Sequence, residues 1–153
     1  MSLTSLRNFM RIFTNYNIAD ERDRNASIAI GNFDGVHLGH KEIISKAISI
    51  GKKNNIPSGV LIFQPHPRKF FRPNDENFII SDIKTRSYLL ENCGLDFLGI
   101  LDFDKKMSNL TPYEFVDNVI NNAIDVSHLI VGYNFKFGKD RSGDVQALSL
   151  INI

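Results

Sequence analysis

The stretch that decides the fold runs Ser27-Ile28-Ala29-Ile30-Gly31-Asn32-Phe33-Asp34-Gly35-Val36-His37-Leu38-Gly39-His40. Its first four residues are small or apolar without alternation, as in a strand covered on both faces, and Gly31 ends them. A glycine-punctuated loop follows. Residues 40–53 then place Ile43, Ile44, Ala47 and Ile48 on one helical face, with Lys52 and Lys53 at the end where cations suit the helix dipole. A doubly buried strand feeding an amphipathic helix is half of a βαβ unit.

Working outward, the alternation repeats. Residues 59–63 (Gly-Val-Leu-Ile-Phe) form a second strand, stopped by Pro65-His66-Pro67, which cannot continue a central ladder. Asp82 can cap a helix carrying Ile83, Leu89, Leu90 and Cys93, with Gly94 as its C′ residue. Residues 97–101 are a third strand. Thr111-Pro112-Tyr113-Glu114 has the spacing of a capping box with proline at the first helical position, and Phe115, Val116, Val119, Ile120 and Ala123 supply that helix's buried face. Residues 128–131 are a fourth strand, and 144–151 begin another helix. Residues 1–25 are less regular: Leu6, Phe9, Met10 and Phe13 fit an amphipathic helix, Ile12 and Tyr16 fit it poorly, and 20–25 is a charged turn. The expected architecture is α/β, a Rossmann-like parallel sheet with helices on both faces.

Composition narrows the class. The 153 residues suit a single domain spanning 1–153, and 42% hydrophobic content with 12 Phe can fill its core. A formal net charge of +1 lacks the basic excess of a general nucleic-acid or anionic-membrane binder. The lone Cys93 excludes an internal disulfide framework and fits a reducing compartment. No apolar run approaches the roughly 20 residues needed to span a bilayer. Arg7 and Arg11 interrupt any signal-peptide core. The expected location is the cytoplasm.

In an open parallel sheet the ligand sits beyond the carboxyl ends of the strands. There the chain has the 31–40 loop, then Gln64-Pro65-His66-Pro67, then Asp102-Phe103-Asp104, then residues 132–143 with Lys136, Lys139 and Arg141. His37 and His40 come just before and at the start of a helix, where free N–H groups and the dipole favour phosphate. Three residues apart on a helical turn, they share a side and can donate to one polyphosphate. The spacing is neither that of a phosphate-binding Walker loop nor of the G-x-G-x-x-G fingerprint, and no G-x-S-x-G elbow occurs. A transition-metal site would need three or four ligands, and only His66 and Asp34 could join the pair, so no metal ligand is assigned. His66 has a second reading as a rigid turn residue, and His128 reads as structural.

These blocks resemble a known family. G-N-F-D-G-V-H-L-G-H is similar to the H-x-G-H signature of nucleotidylyltransferases. Together with F-x-P-H-P at 63–67, L-T-P-Y-E-F-V at 110–116 and V-G-x-x-F-x-F-G-x-x-R-x-G-D at 131–144, it resembles the FMN adenylyltransferase module of bacterial FAD synthetases, over residues 27 to 150. The resemblance implies a nucleotidylyltransferase-type fold and an enzyme that transfers AMP from ATP to FMN with Mg²⁺, giving FAD and pyrophosphate. It implies catalytic roles for His37 and His40, and ATP contacts from Gly31, Asn32, Phe33, Asp34, Gly35, Gly39, Asn134 and Arg141. Lys136 and Lys139 would join Arg141 in an anion clamp. FMN contacts would come from Pro65, His66, Pro67, Phe71, Asn134 and Phe137, although each Phe has core packing as an equal alternative. The family's S-S-T-x-I-R motif and its riboflavin kinase domain are missing from the 153 residues, so a truncated module is expected, with a kinase domain as its family partner. A non-catalytic flavin- or nucleotide-binding remnant, or transfer to another acceptor, stays open.

Overall fold

The computed structural model describes residues 9–17, 21–36, 38–75, 82–133 and 135–150. Five strands, β1 (Arg11–Thr14), β2 (Ala26–Ile30), β3 (Ser58–Gln64), β4 (Phe97–Asp102) and β5 (Val126–Ile130), form one sheet in the order β1-β4-β3-β2-β5. Every pairing is parallel. The sheet is therefore the expected kind, with one strand more than the local pattern indicates.

Both faces of the sheet are covered. On one face Ala29, Val60, Ile62 and Leu98 pack against Ile44 and Ala47 of α1 (Leu38–Asn54) and Leu90 of α3 (Ile83–Glu91). On the other, Ile28, Ile30, Leu61, Phe63, Phe97 and Leu101 meet the long helix between β4 and β5. Successive residues along each strand alternate between the two cores, and burial of both explains the unbroken apolar runs. Asp82 caps α3 by accepting from Thr85 N–H at 2.7 Å. At its other end the left-handed residue is Gly94 (φ 90°), beyond an Asn92 cap.

Three local expectations are corrected. Residues 11–14 are a strand, not part of a helix: Phe13 is buried while Ile12 and Thr14 face outward, and β1 lines up on β4 from Arg11↔Phe97 to Thr14↔Ile100. Pairing with a distant strand outweighs the weak helical spacing here. The long helix between β4 and β5 begins as α5 (Pro112–Glu114) with the capping box in place, then widens into a π-helix over Phe115–Ile124. The expected face is the buried one, with Ala123 packed against the core, and Ile124, four residues beyond Ile120, joins it. The fourth predicted strand begins earlier, at Val126, which puts His128 in its middle, exposed, its Nδ1 3.0 Å from Ser127 Oγ. Short helices α2 (Pro67–Phe71), α4 (Lys105–Ser108) and α6 (Val145–Leu150) complete the described elements. Among the described residues no helix is long and apolar enough to cross a membrane.

Candidate functional site

From β2 the chain steps to β3 and then β4 on one side, and afterwards crosses over to place β5 on β2's other side. The loops leaving β2 and β5 consequently diverge, and a crevice opens between them at the carboxyl edge. A cleft of about 470 Å³ lies there, lined from β2 and its loop by Ile30, Gly31, Asn32, Phe33, Asp34 and His40. Phe63, His66 and Pro67 contribute from the end of β3, and Gly132, Phe135, Lys136 and Arg141 from beyond β5. A second hollow of about 350 Å³, with Gly51, Pro57 and Asp96 in its wall, lies at the amino end of the sheet, away from every motif.

The β2–α1 loop is bent where side chains resist bending. Phe33 (φ 51°) and Val36 (φ 44°) take left-handed backbone conformations, which is unusual for a β-branched residue and costs on the order of 1–3 kcal/mol each. Gly31 serves close packing, because a side chain there would crowd the Phe33 ring at 3.2 Å. Burial of Phe33 (2% exposed) and Val36 (5%) offsets the strain. The Phe33 ring stands edge-on to His40, centroids 5.3 Å apart at 82°, and so sets the imidazole's position at the start of α1. The Asn32 side-chain oxygen is buried with no hydrogen-bond partner among the described residues, an acceptor that a ligand N–H would satisfy.

His66 serves both of its readings. Its Nδ1 accepts from Arg68 N–H at 3.1 Å, capping α2, while the residue also lines the cleft. Burial lowers its pKa from the usual 6.5; Asp34 opposes this, and the Arg86 and Arg68 charges assist it. A neutral ring whose Nδ1 accepts carries its proton on Nε2, as a donor. On the opposite wall the 132–143 loop is pinned by paired Phe137 and Gly143 N–H···O bonds of 3.1 and 2.8 Å and by Lys139 N–H donating to Leu110 O at 2.6 Å. Gly138 (φ 77°) makes the turn against Pro112, where a side chain would meet the proline nitrogen at 2.8 Å.

Thus Gly31, Asn32, Phe33, Asp34, His40, His66, Pro67, Lys136 and Arg141 come together. His37 and Asn134 lie outside the described residues. Gly39, Pro65 and Lys139 stand outside the lining and are exposed. So do both aromatics expected there. Phe71 is 60% exposed on α2 and packs on Phe70 and Phe103, while Phe137 is 6% exposed, facing Phe115 and stacked behind Phe135. The rings that reach the cleft are Phe33, Phe63 and Phe135. Phe137 is seated in the core over Gly143, and Phe135, stacked on its outer side, is the ring left to line the cleft. Sequence reasoning also passed over Arg86, buried beneath this wall at 1% exposure. Its signal was a charge at helical spacing between Ile83 and Leu90 on an apolar stripe.

A five-stranded parallel sheet, an H-x-G-H segment at the first helix and a cationic, ring-lined crevice at the switch point define a nucleotidylyltransferase-type α/β domain. The family model described as "FAD synthetase" matches residues 19–152. The chain belongs to the FAD synthetase family. Among its relatives, the bifunctional riboflavin kinase/FMN adenylyltransferase of Pseudomonas fluorescens is 36% identical, over 82% of this chain and 40% of the relative. The Buchnera aphidicola (subsp. Schizaphis graminum) protein of the same name is 32% identical over 83% and 41%, and that of Escherichia coli K12 is 30% identical over 84% and 41%. The chain thus spans about two fifths of the length of these curated relatives. A solved structure titled as a macrolide-efflux protein from Streptococcus pneumoniae superposes with a TM-score of 0.78 at 25% identity, over 94% of this chain and 47% of that one.

Proposed function

We propose that this cleft transfers AMP from ATP to FMN, forming FAD and pyrophosphate. One observation carries the reading: nitrogen donors from His40, His66, Lys136 and Arg141 line the same crevice as the rings of Phe33, Phe63 and Phe135, in a chain of the FAD synthetase family. A phosphate oxygen of FMN attacks the α-phosphorus of ATP, and the bond from that phosphorus to the bridging oxygen breaks as pyrophosphate leaves. The FMN phosphate is already an anionic nucleophile, so positioning and charge stabilisation suffice. His40, with His37 from the same motif, donates to the departing pyrophosphate, and Arg141 and Lys136 clamp the phosphates from the other wall. Asn32 offers its buried carbonyl to an amino group of the nucleotide, next to Gly31 and Phe33. The isoalloxazine lies toward His66, Pro67, Phe63 and Phe135, with Phe71 and Phe137 supporting from behind through Phe103 and Phe135.

The described residues contain no cluster of three or more His, Cys, Asp or Glu that would hold an ion without the substrate. Mg²⁺ fits instead as part of the substrate, carried on the phosphates of ATP with its own waters. The partner implied by the relatives' name is a riboflavin kinase unit that supplies FMN. A reducing cytoplasm suits both the substrates and the unpaired Cys93. The test is to incubate the chain with FMN, ATP and Mg²⁺ and follow FAD by chromatography. FAD rising in proportion to protein supports the reading; FMN or ATP binding with no FAD refutes it in favour of a binding remnant.

A further inference from the structure

Most buried polar side chains of this domain serve the scaffold. Asp23 is held by Arg11, and Ser27 donates to Ala47 O at 2.8 Å. Arg86 is different. It is the largest fully buried side chain among the described residues, on α3, the helix that packs beside the Asp34–Val36 turn. A guanidinium keeps its proton in proteins, and a charge sealed from water needs a counter-charge. Burial pulls Arg86 down from its ordinary pKa, and of the carboxylates that oppose this, Asp34 acts more strongly than Asp82.

Asp34 itself stands in the cleft wall, on the turn that runs through left-handed Phe33 and Val36. A bare carboxylate there would repel a polyphosphate. A buried cation behind it cancels that repulsion and ties the turn to α3. We propose that Arg86 is a positioning residue of the nucleotide loop: it neutralises Asp34 from beneath, holds the Phe33–Val36 turn in its strained course, and leaves the cleft net attractive to ATP. The consequence for ATP rests on the adenylyl-transfer reading; the consequence for the turn does not.

Two measurements on the whole chain test the pair. In the first, the KM for ATP is measured for Arg86→Met, which should raise it about tenfold at low salt, while Asp34→Asn added to Arg86→Met should recover most of that loss. A folded Arg86→Met chain with an unchanged KM, or a loss that Asp34→Asn does not recover, overturns the proposal. Recovery by a second substitution is what a merely structural arginine would not produce. In the second, amide hydrogen exchange is followed without ligand in Asp34→Asn, where residues 31–40 should exchange about tenfold faster while 58–64 and 97–102 are unchanged. Unchanged exchange at 31–40 refutes the role, and this measurement decides alone if Arg86→Met does not fold. A wild-type chain that makes no FAD would sink the reaction, and the exchange result would still decide on Arg86.

Discussion

His40 offers the sharpest separation of chemistry from packing. Its ring does two things: it stands edge-on to Phe33 at 5.3 Å and it brings nitrogen donors to the cleft. His40→Phe keeps the ring pair and removes both nitrogens. Loss of a donor aimed at developing charge typically costs roughly 100- to 1000-fold in rate, about 2.7–4 kcal/mol. His40→Ala removes the ring as well, which forfeits about 0.5–1.5 kcal/mol of aromatic contact. For a chain of this size that corresponds to about 1–6 °C in Tm. The expectation is that FAD formation falls by two to three orders of magnitude, on the order of the donor loss above, in both variants. Tm should fall measurably only in His40→Ala. Steady-state kinetics with saturating FMN, alongside thermal unfolding, check both halves. If His40→Phe keeps turnover within about threefold of wild type, far less than a lost donor should cost, the role given to His40 is wrong.

Other expectations concern stability. His66 binds its proton more weakly folded than unfolded, so its contribution is complete above pH 6.5 and is lost as the pH falls from there toward the lower folded value. Urea midpoints should therefore decline on acidification below pH 6.5, and His66→Asn, which keeps a capping side chain but does not titrate, should flatten that decline. Gly138→Ala forces a side chain into a left-handed position at φ 77° against Pro112. It should cost at least about 1–2 kcal/mol, seen as a Tm lower by about 2–8 °C. Arg11 Nε and Nη2 donate to Asp23 at 2.9 and 2.6 Å, with the Asp23 side chain fully buried and Arg11's 31% exposed. Asp23→Asn should lower denaturant stability by about 2 kcal/mol, less than for a fully buried pair because water reaches the arginine. A midpoint equal to wild type would contradict that pairing.

The central sheet was legible because strands β2, β3 and β4 are buried on both faces and write that burial as unbroken apolar runs. The glycine, histidine and proline blocks then fell at strand ends, where the parallel topology gathers them. What local pattern could not carry was anything set by a distant partner. β1 buries only Phe13 of its four residues, and its place depends on β4. The widening of Phe115–Ile124 into a π-helix is likewise nothing that spacing rules for the α-helix encode. Which phenylalanines face the cleft turned on a contact distant from the local pattern: the Phe137–Gly143 bridge seats Phe137 in the core and leaves Phe135, stacked on it, at the cleft. Arg86 escaped attention because an arginine on a helix is ordinarily taken as solvated. The left-handed course of the 33–36 turn rests on Phe33 and Val36 rather than on the neighbouring glycine at 31.

The strand order also bears on how the molecule is made. Synthesis proceeds from the amino end, yet β1, which precedes the other described strands in the chain, pairs among the described residues with β4 alone, and Arg11 must wait for Phe97. Its exposed Ile12 and buried-to-be Phe13 meanwhile lie on a nascent segment with no sheet to join. β2 finds β3 early but receives its other neighbour, β5, last. The two walls of the cleft are therefore united only once the 126–130 segment has emerged, so a chain stalled before that point would hold half a binding site beside an open strand edge.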